Sequence, residues 1–147
     1  AGSSANRQIP ALSERFQRVR AASVGIAAPL SAEDCQAQSM SDASPVKWHL
    51  AHTNWFWETF LLESVPGHEP FDPAFRMLFN SYYNGVGAQF DRASRGLLTR
   101  PSLERVLAWR ARVDLQMDAL IEAGPDMATM ALIDLGLAHE EQHQELM

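Results

Sequence analysis

Cysteine is almost absent from this chain. Cys35 is the single cysteine among 147 residues, so neither a disulfide nor a cluster of thiolate metal ligands can form within them. This low cysteine usage is typical of proteins in a reducing compartment. We therefore expect a cytoplasmic protein.

Basic charge and long apolar runs are also scarce. The chain has 12 Lys and Arg residues against 18 Asp and Glu residues, for a formal net charge of −6, which disfavours nucleic acid as a partner. No apolar run approaches the ~18 residues that a membrane-spanning helix needs. We therefore expect neither nucleic acid nor a membrane as a partner. The length and the 46% apolar content predict one globular domain over residues 1–147.

Runs of alternating β-branched residues are missing, so no strand is predicted. Apolar residues recur instead at three- and four-residue steps, which is typical of amphipathic helices. The first long helix is predicted from about Pro10 to Ala28, with Val24 or Ile26 continuing the inner face of Phe16 and Val19. Three further long helices are predicted over residues 44–64, 101–123 and 126–147. This pattern predicts an all-α, four-helix bundle.

Capping residues indicate where several helices begin. Ser31 and Asp34 form a capping-box pattern that predicts a short helix. Ser44 is a suitable N-cap for the second long helix, with Pro45 at its first helical position. Asp126 is the predicted N-cap of the last helix.

Three histidines have a spacing and a setting that predict a metal site. His139 and His143 are four residues apart, so both imidazoles leave the same helix face. Alternatively, the two histidines are a solvent-exposed pair at a polar helix end and bind no metal. His52 lies on an aromatic, inward-facing helix, where a neutral imidazole needs a partner. Three histidine ligands suit Fe(II), Zn(II), Ni(II) or Cu(II), and the coordination positions left open favour a catalytic metal.

Two other histidines are weaker candidates. His49 competes with His52 for the third ligand position, but it shares the aromatic face less well. We expect it beside the site or on the surface. His68 follows Pro66 and Gly67 in a predicted loop and is expected to be exposed.

The segment from His139 to His143 also matches the zinc-protease signature, in which the glutamate after the first histidine activates a metal-bound water. That interpretation is disfavoured because no strand is predicted that would hold a peptide substrate. Glu140 is expected either at the surface or close to the ligands.

Four blocks of sequence carry a family resemblance. They are residues 38–62, with Trp48-His-Leu-Ala-His52 at their centre, and residues 78–87, 95–101 and 135–146. Together and in this order, they resemble the N-terminal domain of the ergothioneine-biosynthesis sulfoxide synthases over nearly the whole chain.

The resemblance implies a fold, a cofactor and an activity. The family domain is a DinB-like four-helix bundle that holds Fe(II) through three histidines, which fall here on His52, His139 and His143. The implied reaction uses O2 to join hercynine (trimethylhistidine) to the sulfur of γ-glutamylcysteine or cysteine, and the product is a sulfoxide.

The resemblance also implies substrate contacts. Arg92 and Arg95 match positions that hold the carboxylates of the thiol, although a solvated basic face is an alternative. Gln142 matches a residue that positions hercynine. Alternatively, its side chain points away from the site. Three aromatic residues of the same helix as His52 are expected to pack in the core rather than to contact substrate: Trp48, Trp55 and Phe56.

The family's second domain, related to the formylglycine-generating enzyme, is not among these residues. In the family this covalently linked C-terminal domain supplies most of the hercynine pocket and a catalytic tyrosine. Tyr82 and Tyr83 are expected to be packing residues and not substitutes for that tyrosine. Other functions stay open: a selenoneine synthase of the same architecture, sulfurisation of histidine itself, a stand-alone DinB-type metal-dependent thiol transferase or hydrolase, and a helical module with structural histidines.

Overall fold

The computed structural model describes residues 2–80 and 92–147, and within those ranges it is all-α. The helices are α1 (Gly2–Ala27), α2 (Ala32–Gln36), α3 (Val46–Trp57), α4 (Phe75–Leu78), α5 (Leu103–Glu122) and α6 (Met127–Leu146). A π-helical segment, Glu58–Leu62, continues α3, and a 3-10 helix spans Arg92–Leu97. No strand occurs in the described ranges, which confirms the predicted fold class.

Four long elements form the bundle: α1, α3 with its π-helical continuation, α5 and α6. Both α1 and α3 pack against α5 and against α6. Every residue from Lys47 to Trp57 is buried, as expected for a helix that other elements cover on all sides. Among the described residues, no helix is long and apolar enough to cross a lipid bilayer.

The capping predictions are confirmed at two positions and are one residue off at a third. Ser31 and Asp34 form the predicted capping box, and the Asp126 carboxylate accepts a hydrogen bond from the Thr129 amide at 2.8 Å. However, Pro45 rather than Ser44 is the N-cap of α3, because the backbone of Pro45 is extended, with ψ at 152°.

The inner face of α1 differs from the prediction. Val24 and Ile26 are exposed, whereas Ser23 and Ala27 are buried. The face that α1 turns to the bundle becomes polar near its C-terminal end, where Arg20 and Ser23 enter a buried network. Hydrophobic periodicity therefore gave the wrong register for this part of the helix.

A buried carboxylate ties all four long elements together. Glu140 of α6 is 0% exposed and accepts hydrogen bonds from Ser23 at 2.6 Å and Arg20 at 3.1 Å, both on α1. Trp57 of α3 donates to it at 2.9 Å and Arg110 of α5 at 2.7 Å. Burial alone would raise the pKa of Glu140, but the two guanidinium groups and the Ser23 hydroxyl hold that pKa well below its usual range.

α6 also approaches α3 very closely at one glycine. A Cβ atom added to Gly136 would lie 2.6 Å from a ring carbon of Trp57 and 2.8 Å from one of Phe56. Only a residue without a side chain fits at this contact. The contact lies one helical turn before His139, so it helps to set the distance between the histidines of the two helices.

Candidate metal centre

Three histidines converge between α3 and α6. The possible ligand atoms of His52, His139 and His143 all lie within 4.8 Å of one another. His52 is 0% exposed and His143 is 5% exposed. The spacing of four residues on α6 places two imidazoles on the face that packs against α3, so the predicted set of three is brought together.

The His52 ring is fixed by contacts on its edge and on both faces. Its Nδ1 lies 2.5 Å from the Phe79 carbonyl oxygen, which can only accept, so Nδ1 carries the proton and Nε2 keeps its lone pair. Trp48 stacks on one face, with ring centroids 4.5 Å apart and an interplanar angle of 10°. Trp55 stacks at 5.4 Å and 13°. These tryptophans pack against a predicted ligand, as expected.

The nitrogen positions fit a bound metal ion. His52 Nε2 lies 3.2 Å from His139 Nε2. A metal ion binds histidine nitrogens at about 2.1 Å. With a tetrahedral or octahedral angle at the metal, two such nitrogens lie roughly 3.0–3.4 Å apart. The other ring nitrogen, His139 Nδ1, is buried and has no hydrogen-bond partner among the described residues. Three nitrogen donors without a thiolate suit iron, zinc, nickel or copper.

The electrostatic setting keeps these imidazoles neutral, which is the form that binds metal ions. Burial lowers the pKa of His139 to about 4. Burial, followed by the proximity of His139 and His49, lowers the pKa of His143 to about 3. Burial is also the main reason that the pKa of His52 lies well below its ordinary value. Burial also lowers the pKa of His49 to about 4, with a smaller contribution from the Arg95 charge.

A cavity of about 220 Å³ adjoins the histidines. His143, His49 and Ser44 contribute to its walls together with both predicted carboxylate-binding residues, Arg92 and Arg95. The structure thus places the two arginines beside one of the three histidines. The substrate role of the arginines remains a prediction at this point.

Arg95 has structural contacts of its own. It is 4% exposed and donates to the Ser44 hydroxyl at 2.8 Å. Its guanidinium carbon lies 3.5 Å from the centroid of a Trp48 ring, a cation–π contact. Because Trp48 stacks on His52, a continuous stack runs from the cavity to the candidate metal ligand.

The 3-10 helix that carries both arginines is held by side chains that the sequence did not mark. Gln36 donates to the Gly96 carbonyl at 2.8 Å, and Gln38 donates to the Arg92 carbonyl at 3.0 Å. Lys47 donates to the Leu98 carbonyl at 2.7 Å. All three side chains donate to backbone carbonyl oxygens, and a sequence pattern cannot predict such contacts.

Other predicted site residues are placed as follows. Gln142 is exposed on α6 and does not line the 220 Å³ cavity, so its contact with hercynine remains a prediction. Tyr82 and Tyr83 lie outside the described residues. A larger cavity, of about 610 Å³, is lined by the ends of α5 and the π-helical segment. It contains none of the three histidines, and volume alone therefore does not identify the site.

Two expectations are corrected, for Glu140 and His68, and one open alternative is decided, for His49. Glu140 is neither at the surface nor bonded to a ligand histidine, because its carboxylate turns into the core. It cannot activate a metal-bound water as in the zinc-protease signature. His68 is not exposed, since its side chain is only 4% accessible and lies 3.8 Å from the buried Glu58. Of the two positions expected for His49, beside the site or on the surface, the structure shows the first, because His49 is buried next to His143.

Comparison with known families identifies the superfamily of the chain. No curated protein matches its sequence closely enough to suggest a more specific relationship. The family model described as the DinB superfamily matches residues 15–147, a range that includes α3, α6 and all three histidines. The chain belongs to the DinB superfamily.

Proposed function

We propose that this chain is the iron-binding domain of an O2-dependent enzyme that joins hercynine to γ-glutamylcysteine or cysteine. The observation that carries the proposal is the meeting of three histidine nitrogens beside a cavity that presents two arginines. The resemblance to the ergothioneine-biosynthesis sulfoxide synthases supports the choice of substrates. Membership in the DinB superfamily supports the coarser function, a metal-dependent one.

His52, His139 and His143 would hold the iron. When bound, Fe(II) supplies the redox chemistry that couples the thiol to the imidazole ring at the expense of dioxygen. In the overall reaction, the carbon–sulfur bond and the sulfoxide oxygen form, while the S–H bond and one ring C–H bond break. Dioxygen accepts four electrons, and the two hydrogens leave with its second oxygen atom as water.

The residues of this chain would bind and orient the thiol. Arg92 and Arg95 are one turn apart on the 3-10 helix, and guanidinium groups bind carboxylates through paired hydrogen bonds. A thiol held by its carboxylates in this cavity would present its sulfur towards His143. The stacked rings of Trp48 and Trp55 exclude water from the faces of His52.

Thiol binding can be tested on the chain alone. In the Co(II)-substituted protein, a thiolate that binds the metal produces a charge-transfer absorption that can be titrated. We expect γ-glutamylcysteine to bind more tightly than 2-mercaptoethanol, which has no carboxylate. Arg92→Met should reduce that preference, whereas Arg18→Met, on an exposed part of α1, should not. Equal affinity for the two thiols would contradict the proposed role of the cavity.

The reaction itself is tested with the complete gene product. Anaerobic Fe(II) loading, followed by O2 in the presence of hercynine and the thiol, should yield a hercynine–thiol sulfoxide detectable by mass spectrometry. Competition with a selenium donor or with histidine as acceptor distinguishes the related reactions. Thiol transfer or hydrolysis that proceeds without O2 would instead establish the alternative, a DinB-type transferase or hydrolase.

A further inference from the structure

A fourth histidine contacts the candidate metal centre. His49 lies one turn before His52 on α3 and is 5% exposed. Its Nδ1 atom is 2.9 Å from Nδ1 of His143. His49 is not part of the group whose ligand atoms lie within 4.8 Å of one another, so its contact with the site runs through His143.

The chemistry of a metal-bound imidazole explains what such a contact does. A neutral histidine that binds a metal through one ring nitrogen carries its proton on the other, and that N–H group needs an acceptor. For His52, the acceptor is the Phe79 carbonyl oxygen. For His143, the nitrogen at hydrogen-bond distance from Nδ1 belongs to His49.

We propose that His49 is a positioning residue, which accepts a hydrogen bond from His143 Nδ1–H and so directs His143 Nε2 to the metal. This inference rests on the three-histidine metal site of the proposed function. It requires the tautomer of His49 that carries its proton on Nε2, because Nδ1 must then offer a lone pair. His52 and His143 would bind through the same type of nitrogen, although their acceptors differ.

The surroundings of His49 favour a fixed ring. The Trp48 ring meets it edge to face, with centroids 5.3 Å apart, and the centroid of the His143 ring lies 5.2 Å away. These two aromatic contacts keep the His49 ring beside the His143 imidazole.

The tautomers can be read directly by NMR. In the Zn(II) form of the 15N-histidine-labelled chain, two-bond 1H–15N correlations report which ring nitrogen carries a proton. We expect the proton of His143 on Nδ1 and that of His49 on Nε2. A proton on Nε2 of His143, which would leave Nδ1 as the metal ligand, would overturn the inference.

Substitutions test whether the acceptor matters for metal binding. His49→Leu removes the acceptor, whereas His49→Asn places an amide oxygen close to the position of Nδ1. We expect His49→Leu to weaken Co(II) binding by about 10–100-fold, as measured by competition with a chromophoric chelator, and to change the visible Co(II) spectrum. His49→Asn should restore most of the affinity.

The matched controls are His68→Leu and His68→Asn. His68 also has a buried side chain, but it lies outside the three-histidine group, so neither change should alter Co(II) affinity. An equal loss in both His49 variants, or no loss in His49→Leu, would overturn the inference while the metal site stands. If the unsubstituted chain bound no Co(II), the metal site itself would be refuted and the inference with it.

Discussion

His139 and Glu140 are neighbours in the chain, but their side chains leave α6 in different directions. His139 points to His52 on α3, with 3.2 Å between the two Nε2 atoms. The Glu140 carboxylate points into the bundle, where Arg20 and Arg110 contact it. One residue of α6 therefore contributes to the candidate site, and the next anchors the helix that carries it.

The buried carboxylate makes a strong prediction for stability. Glu140→Gln would remove the anionic partner of the buried Arg110 and leave Arg20 paired only with Asp114, and removing one member of a buried ion pair typically costs about 3–5 kcal/mol. We expect a loss of this size in the free energy of unfolding, measured with urea on the metal-free chain.

Glu141→Gln is the matched control for that measurement. The Glu141 side chain is 53% exposed and lies 3.9 Å from Arg15, so its loss should change the free energy of unfolding by less than about 0.5 kcal/mol. Similar values for the two variants would show that the network around Glu140 contributes little.

Sequence reasoning could identify the three ligand candidates but not the role of Glu140. The four-residue spacing of His139 and His143, and the aromatic setting of His52, are local features that a sequence displays. The partners of Glu140 come from three other helices, and their side chains meet only in the folded bundle. His49 was uncertain for a similar reason, because its contact is with a residue 94 positions away.

At the scale of helices, the contact between α3 and α6 sets the geometry of the site. Gly136 allows α6 to lie directly against Phe56 and Trp57. His139 follows three residues later and His52 precedes Phe56 on the opposing helix. Any increase in the separation of the two helices would therefore also separate the histidine nitrogens.

Gly136→Ala tests this contact. The added Cβ would meet aromatic carbons at less than 3 Å, and overpacking of this kind typically costs about 1–3 kcal/mol. We expect a loss in the free energy of unfolding and weaker metal binding, as measured by chelator competition.

Gly25→Ala in α1 is the corresponding control. Nothing lies within 4 Å of the position that its Cβ would occupy, so the alanine should stabilise the helix by about 0.5–1 kcal/mol. If Gly136→Ala also stabilised the chain and left metal affinity unchanged, the close contact would not determine the site geometry.

The success of sequence-based prediction also varies among the helices. Ser31 and Asp126 were identified as caps because capping depends on residues within one turn. The inner face of α1 was not, since the polar residues Arg20 and Ser23 take positions that periodicity assigns to apolar ones. The position of the 3-10 helix Arg92–Leu97 was not predicted, because it depends on hydrogen bonds from distant glutamine and lysine side chains.

At the scale of the whole molecule, metal binding should be coupled to folding. A ligand that binds only the folded state adds about 2.7 kcal/mol to stability when its concentration is 100 times its dissociation constant. We expect the chain to gain an increment of this size from Fe(II) or Zn(II), measured as the difference between metal-loaded and metal-free unfolding.

The variants His52→Ala and His68→Ala separate metal binding from general effects on the core. His52→Ala should lose most of the metal-dependent increment, whereas His68→Ala should keep it, even if its metal-free stability changes. Equal increments in the two variants would contradict the assignment of His52 as a ligand.

The most direct test of the three-histidine centre is the iron content of the chain. Elemental analysis after anaerobic Fe(II) loading and desalting should find about one iron atom per chain, and the His52→Ala variant, which lacks one of the three ligands, should retain almost none. Absence of iron from the unsubstituted chain, or equal iron in both proteins, would contradict the central claim that His52, His139 and His143 form a metal site.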